Sequence, residues 1–390
     1  MKASTDTASG PGRIRQLNRR AVLGHIRRFG PTSRSELIPA LQLSPAGVSS
    51  VVNELIDDGL LQEAEPSSAL GRLGRPVSLL QLSPNAAYTL GLVLRPGAGR
   101  VQVESAWSDY AGTVALAPEL RFHDPAQIET VVQDLLGALR TLERLVPEPQ
   151  RIAAVTVGIP GVVANDRVAM APSMGSIEGG QLIAALRAAV SYPLYFQNDV
   201  NLAARSELHQ QPRLRELAMA YLYIGAGVGA AAALRGQVWT GNGWAGEVGH
   251  LRISRGRGRR QSFEELLGTG GAIADALTDM GLARNGLDAL AAAVDAGDRR
   301  AQRLVKRYGS HLCDLIQVLN AVLDLDEVIV DFPSEPLFAV LLPIVQELMQ
   351  DSPLQVAIST PAMAHSASVC GAALYALKLA LETVDQRAER

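Results

Sequence analysis

Residues 221–264 read YLYIGAGVGAAAALRGQVWTGNGWAGEVGHLRISRGRGRRQSFE. The apolar run Tyr221, Leu222, Tyr223, Ile224 enters a glycine cluster (Gly225, Gly227, Gly229). A second apolar run follows, and then Trp244-Ala-Gly-Glu247-Val-Gly-His250. A strand that runs into glycines does so where the backbone must turn tightly or approach something closely. Glu247, His250 and Glu264 come soon after, so the stretch predicts a polar pocket beside the glycines. Whether that pocket catalyses, senses or merely persists is decided by the rest of the chain.

At 390 residues, the chain is too long for one ordinary core, and two or three domains are expected. A composition 47% hydrophobic and 19% charged is that of a soluble globular protein. No uninterrupted apolar run is long enough to cross a bilayer and the N-terminus lacks a signal-peptide core, so a cytoplasmic location is expected. Cys313 and Cys370 stand outside any close-spaced metal pattern and read as buried structural thiols. A net charge of -3 argues against polyanion binding by the whole molecule. It hides an asymmetry: before Asn53 the basic residues Lys2, Arg13, Arg15, Arg19, Arg20, Arg27, Arg28 and Arg34 face only Asp6 and Glu36. That segment is the one with an electrostatic invitation to phosphate.

Residues 1–12, rich in Ser, Thr, Gly and Pro, are expected to be a disordered tail. From Leu17 a helical pattern places Val22, Ile26 and Phe29 on one face, and Gly30-Pro31 stops it. Ser33-Arg-Ser-Glu36 has capping-box spacing and opens a short helix burying Leu37, Ile38 and Leu41. Ser44 is an N-cap and Pro45 suits the first position of a third helix. Its inner stripe is Val48, Val51, Val52 and Leu55, which leaves Ala46, Gly47, Ser49, Ser50 and Asn53 outside. Three short helices with a tight turn form a helix-turn-helix whose third helix enters a major groove. Residues 60–63 and 77–82 read as two strands flanking the basic tip Gly71-Arg72-Leu-Gly74-Arg75-Pro76, so the unit is winged. Wing arginines reach phosphate or the minor groove. Arg34, Ser44, Ala46, Gly47, Ser49, Ser50, Asn53, Arg72 and Arg75 are therefore the DNA-binding candidates. A merely structural three-helix domain is the competing reading; cap, turn, basic bias and wing all argue against it.

From Ala87 strands alternate with helices. Strands are expected at 88–94, 100–103, 152–157, 194–196 and 327–330. Helices are expected at 128–145, 182–190, 200–208, 263–280, 287–294, 299–323, 336–349 and 368–383. The pattern is two α/β lobes with a cleft between them. Asn198-Asp199 follows a strand at the edge where open α/β sheets hold ligands, which makes Asp199 a site candidate; its competing reading is an ordinary helix cap.

These residues together resemble the ROK family of repressors and sugar kinases, in its winged-helix repressor branch, over nearly the whole length. The resemblance is carried by Asn18 with Leu23, Ser33-Arg34-x-Glu36-Leu37, Leu43-Ser44-Pro45-Ala46-x-Val48-Ser49 and residues 71–76. It continues through Gly158-Ile-Pro-Gly161, Asn198-Asp199-x-Asn201-x-Ala203-Ala204 and Ala245-Gly-Glu-x-Gly-His250. It implies an α/β fold: an N-terminal winged helix-turn-helix (13–84), then two actin-like ATPase (ribonuclease H-like) lobes. The first lobe is 85–200, joined by the C-terminal helix 368–390, and the second is 201–367. It also implies a sugar in the cleft, touched by Asn198, Asp199, Glu247, His250 and Glu264, with Asp199 in the place of the kinase base.

Three departures follow. Family members place three close cysteines after the histidine to complete a zinc site. Here Arg252, Arg255, Arg257, Arg259 and Arg260 stand there instead, so no zinc or other cofactor is expected. The kinases' acidic phosphate loop is replaced by Gly91-Leu-Val-Leu-Arg95-Pro-Gly-Ala-Gly99, and Val330-Asp331-Phe332-Pro333 stands where a glycine pair would meet the nucleoside. In the loop 171–178, serine replaces a sugar-facing asparagine. The resulting expectation is a sugar-responsive repressor, not an enzyme, working as a homodimer or homotetramer on double-stranded operator DNA. Its rivals are a sugar kinase with a DNA-binding appendage and a ligand-independent DNA-binding regulator.

Overall fold

The computed structural model describes residues 11–64, 78–97, 100–118, 120–121, 127–254, 260–283, 286–350, 352–363 and 366–387. The N-terminal unit runs α1 (Pro11–Phe29), β1 (Thr32–Ser33), α2 (Arg34–Leu41), α3 (Pro45–Asp57), β2 (Leu61–Ala64) and β3 (Leu79–Leu82). Its local chemistry accounts for these bounds. Ser33 and Glu36 close a reciprocal capping box on α2, and the Ser44 hydroxyl accepts from Gly47 N–H at 3.1 Å to open α3 behind Pro45. β1, β3 and β2 pair antiparallel in that order, which is a winged helix. Val22, Leu23, Ile26, Leu37, Val48, Val51, Val52 and Leu55 are its core. That core continues into Tyr110 and Leu377 of the following lobes, so the head is packed onto the body. α1 starts at Pro11, earlier than the Leu17 of the sequence pattern, and Ile38 and Leu41 are only partly buried.

The first lobe comprises β4 (Tyr88–Gly97), β5 (Arg100–Asp109), β6 (Val114–Leu116), β7 (Leu120–Arg121), α4 (Ile128–Leu145), β8 (Ile152–Ile159), β9 (Val162–Ala164), β10 (Arg167–Met170), α5 (Gln181–Ala189) and β11 (Leu194–Asn198). The second comprises α6 (Asp199–Gln210), β12 (Ala218–Ile224), β13 (Val228–Leu234), β14 (Gln237–Trp239), β15 (Arg252–Ile253), β16 (Gln261–Ser262), α7 (Phe263–Leu267), α8 (Ala272–Asp279), α9 (Gly286–Asp295), α10 (Arg299–Leu323), β17 (Glu327–Asp331), α11 (Glu335–Gln350) and β18 (Ala357–Ser359), and α12 (Ala367–Arg387) ends the chain.

The two main sheets have matching order. The first is β6-β5-β4-β8-β11 and the second β14-β13-β12-β17-β18; in each, three antiparallel strands are followed by two that run parallel to the innermost of them. This is one ribonuclease H-like plan used twice. β7 also pairs with β5. α12 returns to the first sheet and crosses α6 at Gly371, where any Cβ would collide with the Leu202 carbonyl oxygen. Ala367, Gly371, Ala372 and Ala373, the small residues at the start of this helix, are what allow that approach. The expected helix 263–280 is two helices, because Gly268, Gly270 and Gly271 break it and Thr269 N–H bonds back to Gly225 O at 2.8 Å. Among the described residues no helix is long and apolar enough to cross a membrane.

Candidate functional site

The C-terminal ends of the parallel strands meet between the lobes. β11 delivers Asn198 and Asp199. Asn198, not Asp199, is the N-cap of α6: its Oδ1 accepts from Asn201 N–H at 2.9 Å, and its Nδ2 donates to Gly161 O at 3.0 Å. Asp199, 7% exposed, is thus the first residue of α6 and not its cap. Its Oδ1 accepts from Val200 N–H at 3.0 Å and its Oδ2 lies 3.4 Å from Arg95 Nη1. Burial pushes the Asp199 carboxyl above the usual carboxylate range, with Arg95 pulling the other way.

Glu247 sits on a loop pinned to β13. Ala230 N–H bonds Gly246 O at 2.8 Å, and Gly246 has a φ of +93° with its Cα facing the Ala230 carbonyl so closely that a Cβ would collide with it. Only glycine meets both conditions, which is the physical reason for Gly246 in the Ala-Gly-Glu-x-Gly-His run. Burial raises the Glu247 carboxyl; Asp199 and Glu264 add to the rise and His250 opposes it. These influences place Asp199, Glu247 and Glu264 in one electrostatic group. Half-exposed His250 has its Nε2 3.6 Å from Glu247 Oε2, and Glu264 lies in the first turn of α7. The arrangement can accept hydrogen bonds from several hydroxyls at once.

Four residues that sequence reasoning did not assign complete the cleft. Arg95, near the end of β4, holds Asp199 and also Glu104 (3.2 Å). Burial pulls the guanidinium down, but the two carboxylates outweigh it and keep it charged. On the second lobe, the Tyr221 hydroxyl donates to Asp331 Oδ2 at 2.7 Å, and the Tyr223 ring lies over Gly225, where a Cβ would collide with the phenol oxygen. Burial raises both phenols. The sequence signal was present, a lone arginine after an apolar strand and an aspartate ending β17, but its pairing was not. The loop 171–178 closes on itself, Ala171 N–H donating to Glu178 Oε1 at 2.8 Å.

The residues present do not fit the family's zinc. Cys313 is buried in α10 and Cys370 in α12, and no group of three or more potential ligands is found among the described residues. Arg260 Nη2 donates to Arg252 O at 3.1 Å; Arg255, Arg257 and Arg259 lie outside the described residues.

On the head, Ser44, Ala46, Ser49, Ser50 and Asn53 are exposed along α3, with Gly47 partly so. α3 itself carries no Arg or Lys. Ser50 Oγ donates to Glu54 Oε1 at 3.3 Å. Arg34 reaches Glu63 at 2.7 Å and Asn53 Oδ1 at 3.1 Å, tying α2, α3 and the wing. Arg72 and Arg75 lie outside the described residues. Four of the eight basic residues before Asn53 are spent internally: besides Arg34, Arg15 pairs with Glu54 (2.8 Å), buried Arg19 with Asp58 (2.6 Å) and Arg28 with Glu216 (2.9 Å).

A winged head joined to two ribonuclease H-like lobes around an acidic cleft defines the class, and the ROK family profile matches residues 99–379. The chain belongs to the ROK family. It is similar to the xylose repressor of Caldicellulosiruptor bescii, 25% identical over 245 residues, 62% of this chain and 60% of that one. It is also similar to the DNA-binding transcriptional dual regulator NagC of Escherichia coli K12, 25% identical over 258 residues, 62% and 58% of the two chains. The matches span about three fifths of these relatives' length. Among solved structures, a ROK family transcriptional regulator described as a homolog of the E. coli MLC protein superposes with a TM-score of 0.76 at 24% identity, covering 96% of this chain and 99% of that one. A ROK family glucokinase from Streptomyces griseus in complex with glucose and AMPPNP superposes with a TM-score of 0.60 at 17% identity, covering 75% and 100%. Both likenesses bear on the fold.

Proposed function

We propose that this chain is a DNA-binding transcriptional repressor of carbohydrate transport or catabolism genes, controlled by a sugar or sugar derivative bound between its lobes. The observation that carries the reading is a capped α3 presenting an exposed row of small and polar side chains, on a head packed against a cleft that groups Asp199, Glu247 and Glu264. The working units are the head (13–84), the first lobe with the C-terminal helix (85–200 and 368–390) and the second lobe (201–367). Ser44, Ala46, Gly47, Ser49, Ser50 and Asn53 meet base edges and backbone in the major groove. Arg34 orients Asn53, and Arg72 and Arg75 meet phosphate or the minor groove. Asn198 organises the start of α6, while Asp199, Glu247, His250 and Glu264 bind sugar hydroxyls. Two copies, as a dimer or within a tetramer, engage the halves of a pseudo-palindromic site. A sugar acts through its different affinity for two spacings of the heads. Xylose and N-acetylglucosamine, which the names of relatives mention, are the first sugars to try.

Phosphoryl transfer is not part of this reading. It needs a positioned metal, a free base and room for the γ-phosphoryl group. Arg95 sits on Asp199, and Tyr223 lies over the glycine turn. A coupled ATPase assay over a panel of hexoses tests this point, since turnover would restore the kinase reading. The DNA reading is tested by a gel-shift titration on the promoter of the protein's own gene. Specific retardation at moderate salt is expected, and its absence would sink the proposal.

A further inference from the structure

A cavity of about 670 Å³, with none of the acidic-cleft residues in its lining, lies where the head meets the body. Its walls come from α1, the turn after β5, the end of α6, the β13–β14 turn and α12. Arg27, Arg205, His209, Arg215, Arg235 and Lys378 line it. Its one acidic lining residue, Glu216, is already engaged by Arg28 at 2.9 Å. Two of the guanidinium groups are held by aromatic rings and not by carboxylates: Arg27 stands 5.2 Å from the Tyr110 ring centroid, and Arg205 stands 4.3 Å from that of Tyr375. Arg27 Nε and Nη2 and Arg205 Nε are out of solvent with no hydrogen-bond partner. Buried donors are nearly always satisfied, and unpaired cations out of water are costly to keep. The environment is correspondingly hostile to more positive charge. Burial lowers Arg205, and burial together with neighbouring Arg215 lowers His209.

We propose that this junction is a binding site for a small organic phosphate. The guanidinium fork matches phosphoryl oxygens, a volume of this size suits a metabolite, and Leu208, Leu374 and Leu377 offer an apolar wall to its carbon skeleton. An anion here would touch α1 of the head, α12 of the first lobe and the β13–β14 turn of the second. It would therefore favour one placement of the head over others, and so act as a second input beside the interlobe cleft. The site stands on its own walls and does not depend on the proposed operator binding.

The test is calorimetric titration and thermal melting of the full chain with inorganic phosphate, pyrophosphate, glucose 6-phosphate and fructose 1,6-bisphosphate, each against sodium chloride of equal ionic strength. A sugar phosphate is expected to bind one per chain, to raise the melting temperature with concentration, and to bind more tightly than inorganic phosphate. R27Q and R205Q should each weaken it about tenfold or more. R235Q and K378Q, at the exposed rim, should weaken it less while leaving the unliganded melting temperature unchanged. These rim variants keep the test valid should the buried ones fail to fold. No effect beyond chloride, or binding undiminished in all the variants, would overturn the site. Equal affinity for inorganic and sugar phosphates would overturn the organic class. Competitive displacement by a duplex of random sequence would assign these cations to DNA.

Discussion

The end of β4 in the first sheet and the end of β12 in the second are equivalent positions of one strand order, yet they carry opposite chemistry. Near the end of β4 stands Arg95, a partly buried cation held between Asp199 and Glu104. β12 ends at Ile224 and runs into Gly225, under the Tyr223 ring and beside the Tyr221–Asp331 hydrogen bond. Each end is occupied by the chain's own side chains. The loop of Glu247 and the first turn of α7, by contrast, keep carboxylates facing the cleft with no arginine paired to Glu247 or Glu264 among the described residues. The difference shows how two halves of one plan can hold different chemistry, one filled by paired side chains and the other with carboxylates left unpaired by arginine.

Substitutions at these two halves should separate them. The largest effect is expected from Gly246→Val. It forces a branched residue into a left-handed φ and drives a Cβ into the Ala230 carbonyl, for a loss of about 3–4 kcal/mol by the combined cost of strain and overpacking. Chemical denaturation measures it; an unchanged midpoint would break the picture of a loop pinned to β13.

Arg95→Met should cost on the order of 3 kcal/mol at neutral pH by leaving Asp199 buried without its cation. The sign with pH is fixed by the raised Asp199 carboxyl. The folded form then holds a proton that the unfolded chain releases, so the stability is present below the unfolded pKa and is lost as pH rises through the folded one. The deficit of the variant should therefore shrink on moving from neutral to acidic buffer. A deficit that grows with acid would mean that Arg95 does not face Asp199. Glu247→Gln is smaller in stability, on the order of 1 kcal/mol in its favour at neutral pH because burial opposes the charge there. It should nevertheless lower the affinity for an effector sugar about tenfold, as thermal shift against sugar concentration would show. The smallest effect is on the head. Arg75→Ala should weaken operator binding and reduce the salt slope by about one unit, and an unchanged slope would move Arg75 off the phosphate backbone.

What could be read from the sequence was local. Ser33 with Glu36, and Ser44 with Pro45, announce two helix starts because a cap is an interaction across three residues. The Val48–Leu55 stripe announces which face of α3 is buried. Glu247 and Asp199 were recognisable as site candidates through motif spacing, although Asn198 turned out to be the cap. The remainder depends on partners far away in sequence. Arg95 meets Asp199, Arg28 meets Glu216, and Tyr221 meets Asp331; no periodicity or spacing encodes such pairs. For the same reason the basic bias of the head overstated its free charge, because Arg15, Arg19 and Arg28 are neutralised by carboxylates within the fold. The split of 263–280 was legible in part: Gly268, Gly270 and Gly271 are a local break in the apolar pattern, but the bond from Thr269 N–H to Gly225 O that fixes the turn is a long-range contact.

The most direct measurement is operator binding by fluorescence anisotropy, on a duplex from the protein's own promoter, as a function of sugar concentration. Wild type and Glu247→Gln would be compared with magnesium ATP present. The expected result is tight, sequence-specific binding by both proteins, a change in wild-type affinity with one of the sugars, no such change in the variant at the same sugar concentration, and no ATP consumed. Binding that is indifferent to every sugar, or a sugar that is phosphorylated in the cuvette, would contradict a cleft that senses and does not catalyse.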